Sequence, residues 1–203
     1  MRNIFKSLFP KRIIGVDIGT YAIKLVELSS WGGKKTLENY GELKSTFVTK
    51  EPLSEGKGVN IPSGDMVSLA IKAIVNEARI KSKMTIFSIP DFSTFCTSFE
   101  IPPMTEKEIP GAIYYNASQY ITLPISEVTL DWQIIPNSSN HKNPQLKVFL
   151  VAVPNQVVQE YQTIAKNAGL ELYALEAEVL GIARALVKDS TKTICLIDIG
   201  VQT

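Results

Sequence analysis

The sequence is poor in the residues from which metal centres and catalytic triads are usually built. It holds one histidine, His141, within a polar Asn/Ser stretch. That excludes a multi-histidine metal site and a triad centred on histidine. Two cysteines, Cys96 and Cys195, are too few for a disulfide scaffold. Both fall in apolar, strand-like runs and read as buried, reduced thiols. There is no excess of either charge: 21 basic residues face 20 acidic ones, a formal net of +1. A protein that coats nucleic acid carries a strong basic excess, so that class is excluded. No apolar run approaches the roughly 18 residues that span a bilayer. Met1–Arg12 is too short and too interrupted for a signal peptide, so the chain reads as cytoplasmic.

What is present is an ordinary globular composition, with 45% hydrophobic and 20% charged residues in 203. A chain of this length buries a core without disulfide or metal staples. Residues 13–28 hold two β-branched runs around a glycine turn, a strand–loop–strand pattern, and 34–48 continue as a third strand. Met66, Leu69, Ala70, Ala73, Ile74 and Ala78 recur at helical spacing, with Ser63 or Asp65 as N-cap. Strands are expected over Met84–Pro90 and Phe92–Ile101. Thr105-Glu-Lys-Glu108 is a capping box, and Pro110 behind it predicts a kink or a late helix start. Val128–Pro136 and Leu146–Pro154 read as strands around a polar tip, Asn137–Pro144. Asn155 is expected to cap a helix that ends at Gly169. A short strand at Glu171–Leu175, a helix over Glu176–Val187 and a buried strand over Thr193–Ile199 complete an α/β chain.

Two segments carry chemistry: Gly15-Val-Asp17-Ile-Gly19-Thr20 and Ile197-Asp198-Ile-Gly200-Val-Gln-Thr203. Each is an apolar strand ending in Asp-Ile-Gly. Glycine lets the main chain approach an anion closely, and converging N–H groups bind phosphate. An aspartate at the strand end repels phosphate directly, but it holds Mg²⁺ through water or orients an attacking water. The Thr20 hydroxyl is a phosphate donor, and Lys24 is a candidate phosphate cation. The alternative for one such loop is an ordinary turn, and for Lys24 a solvated strand lysine; the recurrence of the pattern favours nucleotide binding.

The paired loops resemble the two phosphate loops of the actin, sugar-kinase and DnaK-type chaperone superfamily. Ile14–Leu28 resembles the PilM family of type IV pilus assembly proteins more narrowly. So do Ala117–Val128, Val151–Asn155, Ala168–Leu172, and Glu178 with Ala183-Arg184, so that the likeness covers residues 13–203. Thr122-Leu123 stands where the family commonly has Pro-Phe, and Pro110-Gly111 interrupts a helix usually continuous there. The resemblance implies an actin-like, ribonuclease H-like subdomain 1A from 13–91 and 174–203. It implies an inserted α+β subdomain 1C from 92–173. Family members continue for a comparable length, so a second large domain with the adenosine-binding loop is expected to be missing here.

The resemblance further implies ATP and Mg²⁺ as cofactors. Asp17 and Asp198 would serve catalysis and the metal, and Gly19, Thr20, Lys24, Gly200 and Thr203 the nucleotide, with slow ATPase activity at most. The implied partner is a PilN-type inner-membrane protein, whose N-terminal tail docks in a groove between 1A and 1C. Self-assembly is implied by the superfamily. Membrane association would be peripheral, through the partner, at the inner face of the inner membrane. Met1–Arg12 adds a short basic amphipathic segment of weak membrane affinity. The alternatives are an FtsA-like cell-division protein and a sugar-kinase-type phosphotransferase. Against the kinase, Asp17-Ile-Gly19 is followed by a single threonine rather than by Gly-Gly-Thr.

Overall fold

A computed structural model describes residues 11–44, 64–135, 145–187 and 193–199. Contacts divide the chain into two units, one of Met1–Pro90 with Glu160–Thr203 and one of Asp91–Gln159. Leu172 pairs with Thr85 in the first unit's sheet.

The first unit is built on a five-stranded sheet. Its strands are β1 (Lys11–Ile18), β2 (Ala22–Trp31), β3 (Lys34–Lys44), β4 (Met84–Ile89) and β8 (Glu171–Ala177), in the order β3-β2-β1-β4-β8. The β1, β2 and β3 strands form an antiparallel meander, and β4 and β8 add in parallel. Parallel addition needs helical crossovers. These are α1 (Gly64–Glu77) before β4 and α3 (Asn155–Ala168) before β8.

Alternation decides which sheet face is buried. Ile14, Val16, Ile23, Leu25, Phe87 and Ile89 all lie within 2% exposure and point to one side. Burying each such side chain is worth about 1.5–3 kcal/mol. On the helices, Val67, Ala70, Ile71 and Ile74 of α1 and Tyr161, Ile164, Ala165 and Ala168 of α3 are buried. Phe87 meets Tyr161 edge-to-face at 5.7 Å, and the Ser68 hydroxyl of α1, which donates to the Gly64 carbonyl at 2.7 Å, lies 3.3 Å from the Ile164 carbonyl of α3. Gly32 and Gly33 take φ of 56° and 83°, the left-handed pair that a tight two-residue hairpin requires. Gly169, at φ 77°, ends α3 as expected.

One charged residue sits in this core. Glu27 is fully buried beside an irregularity in the β2–β3 pairing, where β3 carries the extra residue Glu38. Its carboxylate accepts hydrogen bonds from Asn39 Nδ2 at 2.5 Å, from the Ser82 N–H at 2.9 Å and from the Lys81 N–H at 3.2 Å. Arg12 lies 3.5 Å away. Burial alone would raise its pKa; the Asn39, Ser82 and Lys81 bonds and the Arg12 charge outweigh that and hold it below the usual carboxylate range.

The second unit is a three-stranded antiparallel sheet, β5 (Phe95–Ile101), β7 (Leu146–Pro154) and β6 (Val128–Ile135), with α2 (Ile109–Tyr120). Phe99, Ile101, Val148 and Leu150 close over Ile113 and Ala117 of α2. Trp132 is half-buried against this core and meets Tyr114 edge-to-face at 6.1 Å. The Glu108 carboxylate accepts from the Thr105 N–H at 2.9 Å and from its hydroxyl at 2.8 Å, while Pro110 occupies the first turn. Of the two outcomes expected at Pro110, the late start is the one found. The Asn155 side chain ties β6 to its surroundings: its Oδ1 accepts from the Thr129 hydroxyl at 2.8 Å, and its Nδ2 donates to the Ser126 carbonyl at 2.9 Å.

Three expectations are corrected. Thr193–Ile199 is neither strand nor buried; Ile197 is 80% and Ile199 85% exposed. A β-branched run becomes a strand only where another strand accepts its ladder, and none among the described residues does. Cys195 lies in that segment and is exposed, not a core thiol. Cys96 is exposed as well, because it alternates with the buried face of β5 that carries Phe99 and Ile101. The expected polar tip at 137–144 and the Met1–Arg12 segment as far as residue 10 lie outside the described residues, as does Ser63.

Candidate functional site

The first unit holds an open cavity of about 460 Å³ on the sheet face opposite the core. Its floor is Gly15, Val26 and Ile86, and α4 (Glu178–Leu186) supplies Gly181 and Ile182. Its polar groups are Asp17, Lys24, Ser88, Glu176, Glu178 and Asp198. Three residues singled out from the sequence, Asp17, Lys24 and Asp198, therefore meet on one cavity. Asp17 and Lys24 are direct partners across the β1–β2 ladder.

Gly19 and Thr20 form the turn that follows, and neither lines the cavity. The Gly19 N–H donates to the Ala22 carbonyl at 3.1 Å, which closes the β1–β2 turn. A Cβ at Gly19 would lie 3.0 Å from that same oxygen. The glycine is thus demanded by the hairpin itself, through a close backbone approach. Gly200 and Thr203 lie outside the described residues.

Sequence reasoning missed two neighbours. Ser88, near the end of β4, donates its hydroxyl to Asp17 Oδ1 at 2.8 Å and approaches the Val16 carbonyl at 3.4 Å. Its only local signal is a hydroxyl interrupting an apolar strand. Glu176, the last side chain of β8 on this face, forms a two-pronged ion pair with Arg184 of α4. The cavity is acidic in balance, with four carboxylates against Lys24. Its field reaches the core: burial chiefly, then Glu160, Asp17 and Glu178, push the Tyr161 phenol far up, so it stays neutral. Among the described residues no three acidic, histidine or cysteine side chains cluster as a metal cage.

The second unit has its own smaller, apolar cavity of about 200 Å³. Phe92, Phe95, Tyr120, Leu123, Val128 and Pro154 line it, and Phe92 is 61% exposed.

A sequence description of the family "type IV pilus assembly protein PilM" matches residues 15–203. The chain belongs to the PilM family. Among solved structures it is similar to the PilM–PilN type IV pilus biogenesis complex, with a TM-score of 0.70 and 26% identity. That match covers 86% of this chain and 49% of the other, so the chain spans about half the length of the PilM-family structure it matches. It is also similar in fold to the cytoplasmic domain of EpsL, an inner-membrane component of the type II secretion system of Vibrio cholerae. There the TM-score is 0.53 and the identity 14%, over 82% of this chain and 57% of that one. The fold is accordingly α/β and actin-like, as the resemblance implied. No helix among the described residues is long and apolar enough to cross a membrane.

Proposed function

We propose that this chain is part of a cytoplasmic adaptor of type IV pilus assembly, one that binds Mg-ATP and takes the N-terminal tail of a PilN-type inner-membrane protein. The observation that carries the reading is the match over 15–203, joined to the likeness to a PilM–PilN complex. It favours the pilus role over the cell-division and phosphotransferase alternatives. Membrane association would come through the partner, at the inner face of the inner membrane.

The cavity chemistry suits a hydrated Mg²⁺ with a polyphosphate. Magnesium keeps most of its waters and takes one or two carboxylates plus phosphate oxygens. Asp17 and Asp198 on one cavity match that requirement. Asp17 and Asp198 would hold the hydrated cation and orient a water. Lys24 would offset phosphate charge in a cavity that otherwise repels anions. Gly200 and Thr203, with Gly19 and Thr20, would contribute to nucleotide binding as the resemblance implies. When bound, ATP supplies a phosphoanhydride whose cleavage by the oriented water is slow at most. For the partner, the apolar cavity of the second unit suits the aliphatic side chains of an extended tail.

The test is a titration of the full-length protein with a fluorescent peptide from the N-terminus of its PilN counterpart, with and without Mg-ATP. Saturable binding, weakened by Phe92→Ala, is expected. A folded protein that binds no peptide would refute the adaptor reading.

A further inference from the structure

We infer that Ser88 is the positioning residue for Asp17, fixing which carboxylate oxygen faces a bound magnesium–nucleotide. The inference rests on the nucleotide reading above and concerns the same cavity.

The geometry is set by strand pairing. Val16 of β1 is the parallel partner of Phe87 in β4. The next residue on each strand is Asp17 and Ser88, and both side chains emerge on the cavity face. The hydroxyl donates to Asp17 Oδ1 at 2.8 Å. A hydroxyl has one proton to give, and the Val16 carbonyl at 3.4 Å is the poorer acceptor. Oδ1 is therefore occupied, while Oδ2 points towards the Gly19 turn, 3.9 Å from where a Cβ of residue 19 would stand. An aspartate on a strand end swings about two torsions. Bonding one of its oxygens to a hydroxyl on the neighbouring strand removes that freedom before the metal arrives. Losing a group that orients a metal-binding carboxylate this way typically costs about 10–100-fold in affinity.

Lys24 does not substitute for this bond. It faces Asp17 across the ladder but is exposed, and a flexible ammonium in water neutralises charge without fixing a torsion. Ser88, by contrast, supplies a short donor to Asp17 from the neighbouring strand. The role demands a hydroxyl, so threonine, at home on a strand, would retain it.

The experiment compares Ser88→Ala, Ser88→Thr and Asp17→Ala in the full-length protein. ADP affinity is measured by calorimetry with Mg²⁺ and with EDTA, and unliganded stability by thermal unfolding. Ser88→Ala is expected to weaken Mg-ADP binding about ten- to a hundredfold, the usual effect of losing such an outer partner. Metal-free ADP binding should stay unchanged, and threonine should restore the affinity. If Asp17→Ala weakens Mg-ADP binding while Ser88→Ala leaves it intact, the positioning role is overturned and the nucleotide reading stands. An equal loss with and without Mg²⁺ after Ser88→Ala overturns it too, since that marks a structural role. Unchanged Mg-ADP affinity in Asp17→Ala would overturn the nucleotide reading itself.

Discussion

Glu27→Ala should unfold the first unit at markedly lower temperature, and the size of the effect follows from its partners. The carboxylate serves Asn39 Nδ2, the Lys81 and Ser82 N–H groups and, at 3.5 Å, Arg12. Asn39 and Arg12 can turn towards water, and Arg12, about a third exposed, contributes little Coulombic stabilisation. The two backbone donors lie in the connection between α1 and β4 and have no such freedom. Each part-buried donor left without an acceptor falls at the low end of about 1–3 kcal/mol, and breaking a charged network around a buried carboxylate costs about 3–5 kcal/mol. A total of about 4 kcal/mol is therefore expected. At about 2–4 °C per kcal/mol for a chain of this size, the Tm falls by roughly 10 °C. Glu27→Gln keeps one oxygen for Lys81 and Ser82 but turns an amide NH₂ towards Asn39 and Arg12, so its loss should be intermediate.

The pH dependence has a definite sign. Folding lowers the Glu27 pKa, so its contribution is present above the ordinary carboxylate range and is lost as pH falls through the folded value. Glu27→Gln should flatten that acid limb. Urea unfolding followed by far-UV circular dichroism at pH 7 and pH 4 measures both effects. An alanine variant within about 1 kcal/mol of the parent at pH 7 would refute the accounting, because two stranded backbone donors together cost more than that.

Two smaller effects are expected. Gly41→Ala drives a Cβ into the Ile74 Cγ2 methyl, and Ile74 is buried, so this overpacking should cost about 1–3 kcal/mol in the same urea assay. Cys96 should alkylate with iodoacetamide at neutral pH more slowly than a free cysteine despite its exposure, because partial burial and then Asp91 push its pKa up against the Thr94 bond; mass spectrometry of timed digests reads the rate.

Much of the fold was legible locally. The β1–β2 hairpin follows from two β-branched runs around one glycine, α1 from its apolar spacing, and the late start of α2 from Pro110. What was not legible depends on residues far apart in the chain. Thr193–Ile199 has every local mark of a strand, yet a strand is a relation between two segments. Cys96 sits in an apolar run, and only the phase of β5 decides that it faces outward. Glu27, inside Lys-Leu-Val-Glu-Leu, resembles any solvent-facing strand glutamate; its burial comes from the irregular β2–β3 pairing and from residues 81 and 82. The site divides the same way. Asp17, Lys24 and Asp198 stand out by motif, whereas Ser88 gains meaning only once β4 lies beside β1, and Glu176 only once α4 folds back with Arg184.

The two tryptophans fall one to each unit, with unequal surroundings. Trp31, at the end of β2, is 53% exposed, whereas Trp132 is half-buried beside Tyr114. Unfolding moves Trp31 from water to water and Trp132 from protein to water. The red shift of intrinsic emission is therefore an optical reporter for the Asp91–Gln159 unit, nearly blind to the sheet that carries Asp17. Emission and far-UV signals followed together would separate the melting of the two units without any label, and a ligand that shifted only one of the two curves would reveal which unit it binds.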